Sequence, residues 1–507
     1  MNLSWGLLLS VGQVVWVVLV ATFILFERRS PTATLAWIAV VAALPLVGVA
    51  IYLLVGPRRL LRKKLRFRLA RDRVGGMLRE WQQSRANLLS LGGQLMRAGA
   101  QLGNLPPEGV RDVRIFIDGD DCYDALVTAI AGARHHVHLE YYIFRDDTTG
   151  LRIAEALKER ARAGIEVRLL VDAVAEGLGH ASVREMREAG VDVRFFNRVR
   201  LFRLWWRRLN FRTHRKIAVI DGWIGFTGGM NVTDDQSVRA KGKVAWRDTH
   251  VRIVGPVVHG LQATFMQNWV FATGDDLGCD RRERFASYFP PTPAGEEVAD
   301  AMTLGHHDGS VAPPPSGPEE PASVPPLQIA QILASGPDDD VYAIEAFYFA
   351  AITSAQERLW LTTPYFVPGE AILAAIASAA HRGVDVRLLI PHKTDSIWVD
   401  AASRTFHDEL LAAGAQIYLY ESPMLHAKTA IVDDALAIVG TANLDNRSFR
   451  LNFEVVAAFY GGPCVADLAR AFEVDLAHAK HQKRREAKSP FGQRLLASAA
   501  RLLAPQL

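Results

Sequence analysis

Two short segments of this chain carry the same residues at the same spacing. His214, Lys216, Asp221, Gly228, Gly229 and Asn231 recur as His426, Lys428, Asp433, Gly440, Thr441 and Asn443. The offset is 212 residues (426 minus 214) at all six positions. A neutral imidazole can attack phosphorus and form a covalent phosphohistidine, dividing one hard displacement into two easier ones. A second imidazole, protonated, can donate to the departing alkoxide and then deprotonate the incoming hydroxyl. Lys216 and Lys428 would supply fixed positive charge to the phosphate oxygens, and Asn231 and Asn443 neutral donors. Gly229, and the glycine before Thr441, would let backbone N–H groups approach the phosphate closely. Two histidines beside one anion titrate as a coupled pair. This chemistry needs neither cofactor nor metal; no further His/Asp cluster has metal-ligand spacing, and Cys122, Cys279 and Cys464 form no paired motif.

The elements that must hold these groups repeat as well. In each copy His and Lys lead into an apolar strand closed by Val-Ile-Asp or Ile-Val-Asp, so they share one face at period two. Short β-rich runs at 115–117, 137–144, 167–171 and 193–196 alternate with amphipathic helical patterns at 123–134, 151–163 and 181–189. Gly383-Val-Asp-Val-Arg-Leu-Leu389 repeats Gly164-Ile-Glu-Val-Arg-Leu-Leu170, and 359–366 and 413–420 match 137–144 and 189–196. The expectation is an α/β protein of two pseudo-symmetric α/β sandwich halves, 111–287 and 327–480, joined by a Pro-rich linker at 288–326. A basic helical connector is expected at 57–110 and a basic amphipathic tail at 481–507.

Half of the 507 residues are hydrophobic, which excludes global disorder. The net charge of +4 conceals segregation. Residues 57–73 hold nine Lys/Arg against one Asp, and 198–216 hold eight with no acid. Such clusters point to anionic partners. Gly6–Phe26 and Ala33–Val55 are uncharged apolar runs of 21 and 23 residues, long enough to span a bilayer as a hairpin within 1–56. The basic collar after Val55 would stay inside, making the large domain cytoplasmic.

The halves differ in one place. Gly190 to His214 is 24 residues, whereas Gly414 to His426 is 12. The extra residues fall in an Arg/Trp-rich stretch where Trp205, Trp206, Arg207 and Arg208 would sit at headgroup depth. The same composition suits single-stranded nucleic acid, but tethering by a hairpin favours lipid over nucleic acid.

Taken together, these segments resemble the phospholipase D superfamily with paired His-Lys-Asp motifs, and more narrowly the bacterial cardiolipin synthase family. The narrower resemblance rests on Arg29-Ser-Pro-Thr-Ala-Thr-Leu-Ala-Trp37, Phe226-Thr-Gly-Gly-Met-Asn231, Trp246-Arg-Asp-Thr-His250, Thr363-Pro-Tyr-Phe-Val-Pro368 and Asn443-Leu-Asp-Asn-Arg-Ser-Phe449. It implies that His214, Lys216, Asp221, His426, Lys428 and Asp433 form the catalytic set, although Asp221 and Asp433 also suit a strand–turn anchor. It implies a histidine-orienting carboxylate in each half: Glu454 in the second, with Asp248 the nearest candidate in the first. Gly229 and Thr441 stand where the superfamily often has Ser. The implied reaction joins two phosphatidylglycerol molecules into cardiolipin and glycerol; the insertion beside only one motif makes the halves unequal and assigns the nucleophile to His214 and the acid/base to His426. A hydrolytic phospholipase D, a tethered nuclease and a non-catalytic lipid-binding protein are the rivals.

Overall fold

The computed structural model describes residues 5–26, 31–44, 47–49, 65–76, 93–103, 105–174, 177–197, 211–275, 277–278, 282–290, 328–339, 341–421, 424–483 and 500–501. The chain divides into two compact units: one of residues 1–66 with 201–209, the other of 67–200 with 210–507.

In the smaller unit, helices Trp5–Leu25 and Pro31–Ala43 pack together. Ile24 and Val41 are buried between them, flanked by Val20, Phe23, Trp37 and Ile38. Much of the remaining surface is apolar and exposed, including Val14, Val18, Leu19, Leu25 and Leu35. Among the described residues no helix is both long and apolar enough to cross a membrane; the second helix has 13 residues, and the side chains of the first are described only from Gly12.

The larger unit contains both repeats. Its first sheet has seven strands in the order Asp112–Phe116, His250–Val254, Ile224–Gly228, Lys216–Ile220, His136–Tyr141, Glu166–Asp172 and Asp192–Phe196. The second sheet repeats that order with Gln328–Ser335, Glu454–Tyr460, Leu436–Gly440, Thr429–Val432, Arg358–Thr362, Asp385–Pro391 and Gln416–Tyr420. In each, three strands are parallel, joined by helices, and the rest antiparallel. The parallel strands are buried on both faces and read as continuous apolar runs, which is why the Val-Arg-Leu-Leu segments were legible.

The second sheet gains an edge strand at each end. Glu108–Val110 pairs with Gln328–Ser335, and Ala479–His481 with Gln416–Tyr420. Leu95 and Leu102, in the helix Gln94–Gly103, pack on the second core. The end of the segment expected as a helical connector thus packs on and pairs with the second half. Tyr288 and Phe289, at the expected start of the linker, are buried in the first half, with the Tyr288 hydroxyl on Glu166. The rest of the expected linker, from 291, and the expected tail from 484 to 499 lie outside the described residues.

The halves meet through exchanged elements. Helix Val258–Thr273 is buried nearly all round, its polar His259, Gln262 and Asn268 included, because it is covered by its own sheet and by the strand Gln328–Ser335 of the other. Pro463–Leu476 packs on the first sheet's Asp112–Phe116.

Candidate active site

Both His-x-Lys segments enter a central strand from the same end of their sheets. Lys216 is the first residue of its strand, and Lys428 immediately precedes Thr429–Val432. Each lysine curls back so that its Nζ donates to the carbonyl of its own histidine, at 2.6 Å for Lys216 and His214 and likewise for Lys428 and His426. Lys428 acts electrostatically on His214 and Lys216 on His426. The two motifs therefore share one site.

The carboxylates are crossed between the halves. His214 Nδ1 lies 3.0 Å from Glu454 Oε2, in the second half. His426 Nδ1 lies 2.6 Å from Asp248 Oδ2, in the first. Expecting each carboxylate to serve its own half was incorrect. The reason is a pair of matching backbone bridges, Thr213 to Phe453 and Arg247 to Leu425. Each bridge sits one residue before a histidine and one before the opposite carboxylate. The His214 amide donates to Phe453 O at 2.9 Å, and the His426 amide to Arg247 O at 2.7 Å. With Nδ1 held by a carboxylate, Nε2 is the nitrogen free to react.

The surroundings set the charges. Burial, followed by Lys428, draws His426 down to about 4 despite the pull of Asp248. Burial likewise lowers His214, outweighing Glu454. Burial opposes ionisation of Glu454 but is overcome by His214, by its hydrogen bond and by Lys216, so the carboxyl stays below its usual range. Asp248 is held low in the same way, burial being outweighed by Lys428 and His426. Burial brings Lys216 down to about 7 and Lys428 to about 8. Burial thus leaves both imidazoles neutral and brings the lysines to titrate near neutrality, where an anion favours their protonated forms.

The backbone N–H groups of Gly229 and Gly440, expected to approach phosphate, are engaged instead by Thr249 O at 2.8 Å and Lys428 O at 3.3 Å, and that of Thr441 by Val455 O at 2.9 Å. Gly229 and Thr441 serve the carboxylates. The Thr441 hydroxyl donates to Glu454. A Cβ on Gly229 would lie 2.0 Å from Asp248 Oδ1, so the missing side chain is the space the carboxylate occupies. Asn231 Oδ1 accepts from the Ile143 amide at 3.2 Å, which turns its NH2 group away from that strand. Asn443 Nδ2 donates to Asp445 Oδ2 at 3.0 Å, while its Oδ1 is buried without a partner.

Asp221 and Asp433 are anchors rather than members of the cluster. Both adopt left-handed backbone, at φ 55° and 50°. The Asp221 carboxylate accepts the N–H groups of Arg134, His135 and His136 at 2.8–2.9 Å. Asp433 does the same for Gln356, Glu357 and Arg358. An extended strand places Asp221 roughly 16 Å beyond Lys216. Trp205, Trp206, Arg207 and Arg208 lie outside the described residues.

Several neighbours escaped the sequence reading. The Tyr142 ring meets His214 edge-on at 5.0 Å and lies 5.3 Å from Lys216 Nζ. Trp246 lies 5.4 Å from His426. Behind His214, Arg215 Nε donates to Glu454 O at 3.1 Å, and its Nη1 to Asn268 Oδ1 at 2.8 Å. Asn268 Nδ2 and the Thr213 hydroxyl both donate to Glu140 Oε1. Burial lifts this carboxyl to about 7. The repeat places Leu425 and Ala427 opposite Thr213 and Arg215, and the His426–Asp248 couple is braced instead by Arg247, which donates to Asp248 O and, through Nε and Nη2, to Asp475 at 2.9 and 2.7 Å. A glutamate in an apolar strand and an arginine between His and Lys were the available signals. Among the described residues no His, Cys, Asp or Glu group is arranged to hold a metal.

Two half-sheets, each giving one His-Lys pair and one carboxylate to the other's histidine, define a two-motif enzyme of the phospholipase D type. Comparison with known proteins takes this further. Residues 126–269 and 348–476 match the family described as "Cardiolipin synthase, PLD-like domain", and residues 14–57 match "Phospholipase_D-nuclease N-terminal". "Cardiolipin synthase 1" of Bacillus anthracis is 36% identical, covering 100% of this chain and 96% of the relative. "Cardiolipin synthase" of Geobacillus kaustophilus is 37% identical, covering 97% and 92%. The chain belongs to the cardiolipin synthase family. The crystal structure of a phosphatidylserine synthase from Haemophilus influenzae shares the fold, with a TM-score of 0.57 at 14% identity, covering 82% of this chain and 100% of that one.

Proposed function

We propose that this enzyme transfers a phosphatidyl group between two phosphatidylglycerol molecules, releasing cardiolipin and glycerol. The observation that carries the reading is the pair of crossed His–carboxylate couples with a lysine beside each, in a chain matching cardiolipin synthases along its whole length. His214 Nε2 attacks the phosphorus of the first lipid and forms the P–N bond. The P–O bond to the glycerol headgroup breaks, and His426 gives the departing oxygen its proton. His426 then takes the proton from a headgroup hydroxyl of the second lipid. That oxygen attacks phosphorus, the P–N bond breaks, and His214 is regenerated neutral. Lys216, Lys428 and the amide of Asn231 stabilise the charge on the phosphoryl oxygens.

Both couples are braced, but the Glu140–Asn268–Arg215 network behind His214 is fully buried and Arg247–Asp475 beside His426 less so, which supports His214 as nucleophile. A fixed, carboxylate-oriented imidazole loses least in reaching the attacking geometry. His426 beside Trp246 remains for proton transfer. Burial keeps both imidazoles neutral before substrate binds, as nucleophilic attack requires. The anionic phosphate raises the His426 pKa on arrival, loading the general acid.

The two amino-terminal helices would form a membrane hairpin, placing the enzyme in a bacterial cell membrane with the catalytic unit cytoplasmic. The exposed apolar side chains Val14, Val18, Leu19 and Leu35 support this, since water penalises such a surface and a bilayer does not. Purified full-length enzyme given phosphatidylglycerol should yield cardiolipin and glycerol in equal amounts by mass spectrometry. Phosphatidic acid without cardiolipin would reject the reading in favour of hydrolysis.

A further inference from the structure

We propose that the tip of the helix Ile397–Ala413 is a second bilayer contact, in which Ile397 and Trp398 enter the headgroup–acyl boundary while lipid passes to the histidines. The proposal rests on the phosphatidyl-transfer reading and adds a surface to it. Ile397 is 73% exposed and Trp398 48%. Among the described residues from Phe67 onward, Trp398 is the one tryptophan classed as exposed. Two large apolar side chains side by side in water are costly unless something covers them.

Their presentation is built. Ser396 caps the helix through the Val399 amide, and its own amide donates to Thr394 Oγ1 at 3.1 Å. Thr394 N–H donates to Asp400 Oδ1 at 3.1 Å. This turn is wired to the active site. The Tyr365 hydroxyl donates to Asp395 Oδ1 at 2.7 Å. Tyr365 O accepts from the Thr363 hydroxyl at 2.8 Å, and Thr363 Oγ1 accepts the amide of Leu444, next to Asn443. Asp395 also contributes to the charge environment of Lys428. The apolar pair thus stands on the rim of the catalytic cleft.

The side chains and their place identify the occupant. Lys393 and Arg404 are exposed, but so is Asp395, and Asp400 is half-buried, so the tip carries no net positive charge. Tryptophan and isoleucine exposed together at one helix end are the side chains that settle at the boundary of headgroups and acyl chains, which they do without electrostatic help. The rim is also continuous with a cleft that must accept two lipid headgroups from a bilayer.

The test uses the full chain in phosphatidylglycerol-containing bilayers, with Ile397→Cys carrying a fluorophore in a Cys279→Ser background; Cys122 and Cys464 are buried. Lipids bearing a nitroxide near the headgroup should quench the label, and iodide should not. Quenching by iodide alone overturns the proposal. So does shielding from iodide in lipid-free detergent that grows with protein concentration, since that outcome marks a contact between copies. In the kinetic arm, Ile397→Ser with Trp398→Ala should raise the surface concentration of phosphatidylglycerol at half-maximal rate about tenfold. Turnover of a monomeric short-chain phosphatidylglycerol should stay within about twofold of wild type. An equal loss on both substrates overturns the rim. A wild-type enzyme making no cardiolipin would reject the proposed function, while the quenching result would still decide the rim.

Discussion

Replacing Gly229 by serine would restore the residue common in the wider superfamily, yet the structure requires that it damage this enzyme. The new Cβ would lie 2.0 Å from Asp248 Oδ1 and 2.7 Å from Cγ. Ordinary contact begins near 3.4 Å, so the carboxylate must retreat by more than about 1 Å. Its hydrogen bond to His426 is only 2.6 Å long, and Oδ1 is also tied to the Thr249 amide. The bond cannot survive that shift. A hydrogen bond to a charged group is worth about 1.5–3 kcal/mol, or roughly 10–150-fold in rate. The expected result is a fall in kcat of that size for cardiolipin formation from phosphatidylglycerol, measured by mass spectrometry. Gly229→Ala should fall equally, because the clash comes from Cβ and not from the hydroxyl. Circular dichroism and thermal melting should show a folded protein. A Gly229→Ser enzyme within about threefold of wild type would refute the claim that Asp248 must hold His426 in place.

Other expectations concern the same site. Thr441→Ser, which keeps the hydroxyl on Glu454, should be near wild type, whereas Thr441→Val should lose about tenfold in kcat, for about 1.4 kcal/mol. Asp221→Ala and Asp433→Ala should each cost about 2–4 kcal/mol of stability in denaturant melts, since three N–H groups lose their acceptor, while the folded fraction keeps kcat within a few fold. A large kcat loss at unchanged stability would return these aspartates to the catalytic set. Lys216 and Lys428, brought by burial to about 7 and 8, bind anions in their protonated forms. Inorganic phosphate should therefore bind with proton uptake and weaken about tenfold or more between pH 7 and 9, by calorimetry in buffers of different ionisation enthalpy. A pH-independent affinity would show that the lysines keep their ordinary pKa values.

The sequence by itself determined the chemistry and the repeat. Paired His-x-Lys segments, each leading into an apolar strand with asparagine at a fixed distance, are legible because catalytic groups sit at short, rigid spacings within one strand–turn–strand. The parallel strands were legible for the same local reason, since burial on both faces writes a continuous apolar run. Tertiary structure alone decided which carboxylate serves which histidine. Glu454 and His214 are 240 residues apart, and their partnership follows from the bridge between Thr213 and Phe453. No spacing encodes a contact between halves. It also decided what Gly229 and Asp221 are for. A glycine that makes room for a distant carboxylate and an aspartate that holds three amides are defined by their neighbours. Those neighbours, Asp248 and the amides of Arg134, His135 and His136, come together when the first half folds on itself.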